Sequence, residues 1–94
     1  MGPAARLIAN EENFQQGTLY RKRDGEDWTP GDDDPPVTFD CLGAFMWAYR
    51  NVPYFDRHKT ARRVFETCRA RHGHTRLGKL IWEEAFDLLK GCGV

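Results

Sequence analysis

Lysine and arginine are absent from one long stretch of this chain. From Asp24 to Asp40 there are seven acids (Asp24, Glu26, Asp27, Asp32, Asp33, Asp34 and Asp40) and no base. Acids are almost absent from another. From Arg57 to Lys79 there are eight bases against one acid, Glu66, and all three histidines, His58, His72 and His74, fall there. Net charge is lacking too, because 14 bases balance 14 acids. The balance hides a dipolar molecule. Such a surface suits a binder of charged macromolecules, or a protein whose acidic loop folds back over its basic helix. No apolar run approaches the ~20 residues of a membrane span, so no membrane partner is expected. Met1–Arg6 is too short and too soon polar for a signal peptide, and a cytoplasmic location is expected. Cysteine is scarce. Cys41, Cys68 and Cys92 are odd in number and widely spaced, and read as free thiols packed like small apolar residues.

At 94 residues the chain is expected to form one domain, numbered 1–94, with an acidic loop over 24–40 and a basic helix and turn over 57–79. Twelve aromatic residues, Trp28, Trp47 and Trp82 among them, supply much of a modest core. Pro3 to Asn13 reads as a short amphipathic helix with Leu7 and Ile8 inward. Thr18–Arg23 and Glu26–Thr29 read as a hairpin around a type I′ turn at Asp24-Gly25. The proline-rich, like-charged run Thr29–Pro36 reads as a loop.

Three further helices are expected. Thr38 is the N-cap of the first, with Leu42, Phe45, Met46 and Tyr49 on one face and Pro53 as its stop. Asp56 caps the second, whose inward stripe is Ala61, Val64, Phe65 and Cys68, and Gly73 ends it. Thr75 caps the third, which is rich in Leu and closes at Gly91. The fold class is therefore mainly α: three to four helices in a compact domain, with a short β-hairpin or irregular arm after the first.

Three clusters bear on chemistry. Phe39-Asp40-Cys41-Leu42-Gly43-Ala44-Phe45 resembles the nucleophile motif of papain-like cell-wall peptidases, where a helix opens on Asp-Cys-Ser-Gly. In a first helical turn the dipole lowers a thiol pKa. That resemblance implies a thiol hydrolase centred on Cys41. Such enzymes also need a histidine on a following strand, and the chain after Cys41 reads as helical. Cys41 and Gly43 are more simply small because a neighbouring helix passes close. Cys68 and His72 lie at i, i+4, with His74 just beyond, a geometry zinc accepts. A fourth ligand would have to be Cys41, Cys92 or His58, none set by spacing. No metal and no cofactor are expected. The third cluster is the basic helix, where Lys59, Arg62 and Arg63 project from the apolar stripe and Arg69, Arg71, Arg76 and Lys79 extend the patch.

The order of short motifs resembles a family of small uncharacterised domains from actinobacteria and their phages. Phe14, Gln16-Gly17, Asp24-Gly25, Cys41-Leu42-Gly43-Ala44 and the segment from Thr75 carry the likeness. It implies no known activity, but it implies a phage or mobile-element origin, where small proteins inhibit or redirect host complexes. The expected function is thus a non-enzymatic binding protein that engages a host protein complex through charged surfaces. Its contact residues would be Arg62, Arg63, Arg69, Arg71, Arg76 and Lys79, with Asp32, Asp33 and Asp34 on the loop. A nucleic-acid-binding regulator using Arg62, Arg63, Arg69 and Arg71 is the alternative, and a thiol hydrolase at Cys41 the third.

Overall fold

A computed structural model describes residues 1–94. Pro3 at the first turn starts α1 (Pro3–Leu7), which buries Ala4 and Ala5. Five residues cannot sustain a helix alone. This one is held from outside, because the N–H groups of Ala4 and Ala5 both donate to Val94 O, at 2.9 and 3.0 Å. The expected helix to Asn13 is interrupted: after Ile8, itself fully buried, a single 3₁₀ turn covers Glu11–Asn13.

The segment from Phe14 to Arg21 then runs beside residues 37–40. Strand β1 (Tyr20–Arg21) pairs antiparallel with β2 (Thr38–Phe39), in register Tyr20 with Phe39 and Arg21 with Thr38. The strand that pairs with β1 therefore lies beyond the acidic loop. Glu26–Thr29 only begins to pair, through Trp28 N–H to Tyr20 O at 3.2 Å and an isolated Arg21–Asp27 bridge. The turn also differs from type I′, which needs positive φ at two residues. Gly25 alone has it (φ 88°). Gly25 N–H donates to Lys22 O and Lys22 N–H to Glu26 O, closing a three-residue loop with glycine as the bulge residue.

Helix α2 (Cys41–Ala48) is capped by Asp40, whose Oδ1 accepts from Gly43 N–H at 2.7 Å. The expected cap, Thr38, is taken by the strand pairing two residues earlier. The first of the expected helices does not reach its expected stop: α2 ends at Ala48 with Tyr49 as its C-cap. Pro53 is instead the N-cap of helix α3 (Tyr54–His72), with Asp56 in the first turn without capping it. Gly73 ends α3 in the left-handed region (φ 77°), as its position in the sequence requires. Thr75 caps nothing. A 3₁₀ turn (Leu77–Lys79) comes first, and α4 (Trp82–Gly91) starts later, where Glu84 Oε1 accepts from Ile81 N–H at 3.1 Å.

Four helices and a short antiparallel strand pair thus make a compact, mainly helical domain with a radius of gyration of 12.5 Å. A globule of this length is expected near ~12 Å. The core joins Ala4, Ala5 and Ile8 of the N-terminal arm, Cys41, Ala44 and Phe45 of α2, Val64 and Cys68 of α3, and Ala85, Leu88 and Leu89 of α4. Leu88 and Leu89 are wholly shielded, and each such side chain contributes roughly 1.5–3 kcal/mol. No helix is long and apolar enough to cross a membrane.

Candidate functional site

Helix α3 has 19 residues yet fully buries only Val64 and Cys68. It lies on the surface along one stripe, and its charged positions decide what the molecule shows to a partner. Arg62 is exposed and its Nε sits 3.1 Å from Glu66 Oε1, one turn on. Such an exposed pair contributes a few tenths of a kcal/mol at most, so Arg62 is readily drawn to another anion. Arg69 makes no side-chain hydrogen bond or ion pair, and Arg76 and Lys79 likewise leave their charged ends free.

Arg63 and Arg71 have other work. Arg63 Nη2 donates to Cys92 O at 2.7 Å, and Arg71 Nη1 to Asp87 O at 3.4 Å. Arg71 also lies against Gly91, its Nη2 within 2.8 Å of where a side chain there would start. Both guanidiniums therefore reach the C-terminal end of α4, where the helix dipole favours a cation. They tie α3 to α4. The expected patch of six bases divides into four that face solvent and two that bind the fold.

The N-terminal half of α3 adds residues that the charge pattern did not single out. Tyr54 and Phe55 are exposed, at 71% and 68%. His58 stacks on Tyr54 (centroids 5.9 Å, planes 17° apart), and Lys59 Nζ lies 4.6 Å over the Phe55 ring. The helix was expected to start at Asp56, which left both aromatics in a connecting loop. The signal that would have found them is Pro53, which cannot sit in a helix interior and so marks a boundary from which the next helix can start.

The acidic loop is held on the opposite element. Trp28 Nε1 donates to Asp34 O at 2.7 Å, and the Trp28 ring packs edgewise on Tyr20 and Trp47, at 5.4 and 5.3 Å. Asp32 accepts from Thr29 N–H at 2.7 Å and faces Lys22 Nζ at 3.7 Å. The Thr29 bond, with Lys22 in support, holds the Asp32 carboxyl below its ordinary value. Asp33 and Asp34 are exposed. Every ion pair of this loop goes to Lys22, and none goes to α3. The two charged surfaces stay apart.

Cys41 stands in the first turn of α2 but is fully buried. Burial pushes its thiol far up, and the neighbouring Asp40 charge and the Cys68 and Cys92 sulfurs add to the shift. The crowding element is the backbone of Leu19, which lies against Gly43, rather than a neighbouring helix. Cys68, His72 and His74 do not converge. Cys68 is buried, His72 Nδ1 faces Glu84 Oε2 at 3.5 Å, and His74 Nδ1 accepts from Arg76 N–H. No three His, Cys, Asp or Glu side chains gather closely enough to hold an ion.

Asp40 is the one buried charged side chain. Its Oδ2 lies over Gly78, 3.1 Å from where a Cβ would stand. Burial raises its pKa, and the bonds from Gly43 and Leu42 N–H only partly oppose that. The folded state thus holds the proton more tightly than the unfolded chain. Asp40 stabilises the fold most below the ordinary carboxylate range, and that contribution is lost as pH rises through the raised value. Asp40→Asn keeps an acceptor for Gly43 N–H without the charge. It should remove this pH slope and leave the protein at least as stable at neutral pH. Asp40→Ala should be about 1 kcal/mol less stable than Asp40→Asn, because the cap is gone. Urea unfolding across the acid range measures both; a slope unchanged in Asp40→Asn would assign it to other groups.

The chain matches no family model, no curated protein and no solved structure.

Proposed function

We propose that this protein is a small, non-enzymatic binding protein that engages a host macromolecular complex through charged surfaces and inhibits or modulates it. The reading rests on one observation above all. The exposed bases of α3 make no ion pair with the acidic loop, whose ion pairs, from Glu26 and Asp32, go to Lys22 and leave Asp33 and Asp34 exposed. An intramolecular role for the charge sorting would have joined the two. Left apart, each remains open to a partner, and complementary charge gives such encounters speed and selectivity. Burial of Cys41 argues against the thiol hydrolase, since the thiolate is the nucleophile. A phage or mobile-element origin, with a host defence or regulatory complex as target, rests on the motif resemblance alone. A cytoplasmic location belongs to the same proposal.

Lys59 and Arg62 are exposed and bind nothing that shapes the fold, which makes them the right pair to reverse. Arg63 is a poor choice, because it donates to Cys92 O. Lys59→Glu/Arg62→Glu should keep its unfolding midpoint within about 0.5 kcal/mol of the parent. It should lose host-protein capture in affinity pull-downs from nuclease-treated lysate. Added salt should weaken the capture as well, since exposed charges are screened over about 8 Å at physiological ionic strength.

The second reading, a nucleic-acid-binding regulator, is favoured by one arrangement: Tyr54 and Phe55 stand exposed among Arg57, His58 and Lys59. Exposed rings beside bases suit single-stranded nucleic acid. Capture that disappears on nuclease treatment would select this reading over the first.

A further inference from the structure

Helix α2 and the N-terminal half of α3 diverge from a shared core and leave a groove between them. Leu42, Phe45 and Met46 line it from α2; Ala61, Phe65 and Tyr54 from α3. Arg57 and His58 form its rim. The groove holds about 250 Å³, below the roughly 300–1,000 Å³ of a site that encloses a small molecule. Met46 is 42% exposed and Tyr54 71%. This is an open apolar trough, of a size for side chains that project from a partner.

We propose that the groove docks an acidic amphipathic helix of a partner protein. The proposal rests on the binding reading above and names the chemistry of the partner. Apolar residues at i, i+3 or i+4 and i+7 of such a helix would enter between Met46 and Phe65, in the helix-in-groove manner. Carboxylates flanking them would meet the rim. Charge selects this occupant. The groove's lining holds Arg57 and His58 and no acid, and Lys59 and Arg62 stand exposed on the same helix.

The same charges disfavour a second copy of this chain. A two-fold contact would set that basic stretch against itself, and like charges face to face are costly. The acidic loop of another copy fits no better. Its run Thr29–Pro36 is broken by Pro30, Pro35 and Pro36, and it offers no apolar residues at helical spacing. A nucleic acid would meet hydrocarbon in the trough, which Leu42, Phe45, Met46, Ala61 and Phe65 line.

The test uses display libraries of random peptides of about 16 residues, long enough for four helical turns. They are selected on the intact protein. Enriched peptides should carry net negative charge and apolar residues at helical spacing. Their affinity should fall by about tenfold or more on Met46→Glu, close to 1.4 kcal/mol, and likewise on Tyr54→Ser. Both positions are exposed, and circular dichroism verifies each fold; Tyr54→Ser keeps the test valid if Met46→Glu does not fold. Failure to enrich any peptide, enrichment of neutral or basic ones, or unchanged binding by a folded variant overturns the proposal. So does competition for the groove by labelled oligo-dT, or a dimer in sedimentation that Met46→Glu abolishes. If lysate capture still depends on Lys59 and Arg62 while groove variants change nothing, the groove inference alone fails and the charged-surface reading stands.

Discussion

Gly43→Ala should leave little folded protein. Gly43 is in the first turn of α2 and is buried, and a Cβ there would run into the Leu19 carbonyl. The obstacle is backbone, in a segment pinned on both sides. Asp40 N–H donates to Thr18 O, and Tyr20 is paired with Phe39. Neither neighbour can turn aside as a flexible side chain does. Overpacking a core costs about 1–3 kcal/mol where side chains can adjust and more where they cannot, so a loss of about 3 kcal/mol or more is expected. That is a large fraction of the roughly 5–15 kcal/mol that holds a domain together. Gly31→Ala is the control, because nothing lies within 4 Å of a Cβ there. It should be neutral, or slightly stabilising through reduced freedom of the unfolded chain. Urea midpoints of the two variants decide the matter. A Gly43→Ala protein as stable as its parent would mean that α2 does not rest on the Leu19 backbone.

Iodoacetamide should find Cys41 closed. The thiol is fully buried, and its pKa is pushed up by burial first and by the Asp40 charge second. The helix-start position acts in the opposite direction, but the dipole effect is about 1 kcal/mol in exposed settings, too small to offset loss of solvent. Alkylation must then wait for opening of the fold. Unfolded fractions of 10⁻³ to 10⁻⁶ are usual, so labelling should be about a thousandfold or more slower than in urea. Cys68, also buried, should share that protection, and the half-buried Cys92 should react first. Mass spectrometry of partly labelled protein gives the order. Fast modification of Cys41 in the folded state would revive the hydrolase reading.

The helical character of this chain, and the glycine that ends α3, were legible because periodicity and stop signals are local. The helix starts were not. Thr38 and Asp40 are both good N-cap types, and strand pairing of Thr38 to a residue 17 positions away, Arg21, leaves Asp40 as the cap. Thr75 looked like a cap until the 3₁₀ turn after it is counted. The charge segregation was legible as well. Which arginines are free was not, because it depends on where the end of α4 falls. Arg63 and Arg71 are indistinguishable from Arg62 and Arg69 in sequence, and only their approach to Cys92 O and Asp87 O separates them. The groove was hidden for a similar reason. Leu42, Phe45, Ala61 and Phe65 read as core, and nothing in their spacing says that α2 and the start of α3 splay apart.

The contact between α1 and Val94 bears on how the protein is made. Ala4 and Ala5 donate to a carbonyl some 90 residues later, and Val94 itself is buried. A ribosome releases the early residues long before that carbonyl exists. Until it arrives, α1 has neither the length to stand alone nor an acceptor for its first N–H groups. Ala4, Ala5 and Ile8 can pack on α2 once it is made, but their cover from the end of the chain is still missing, while α3, whose contacts are local, can form as it emerges. The side of the core where α1 meets Val94 closes only once residue 94 has been made. A stalled or truncated chain lacking that residue would present an unfinished apolar face, and would be a substrate for chaperones and proteases.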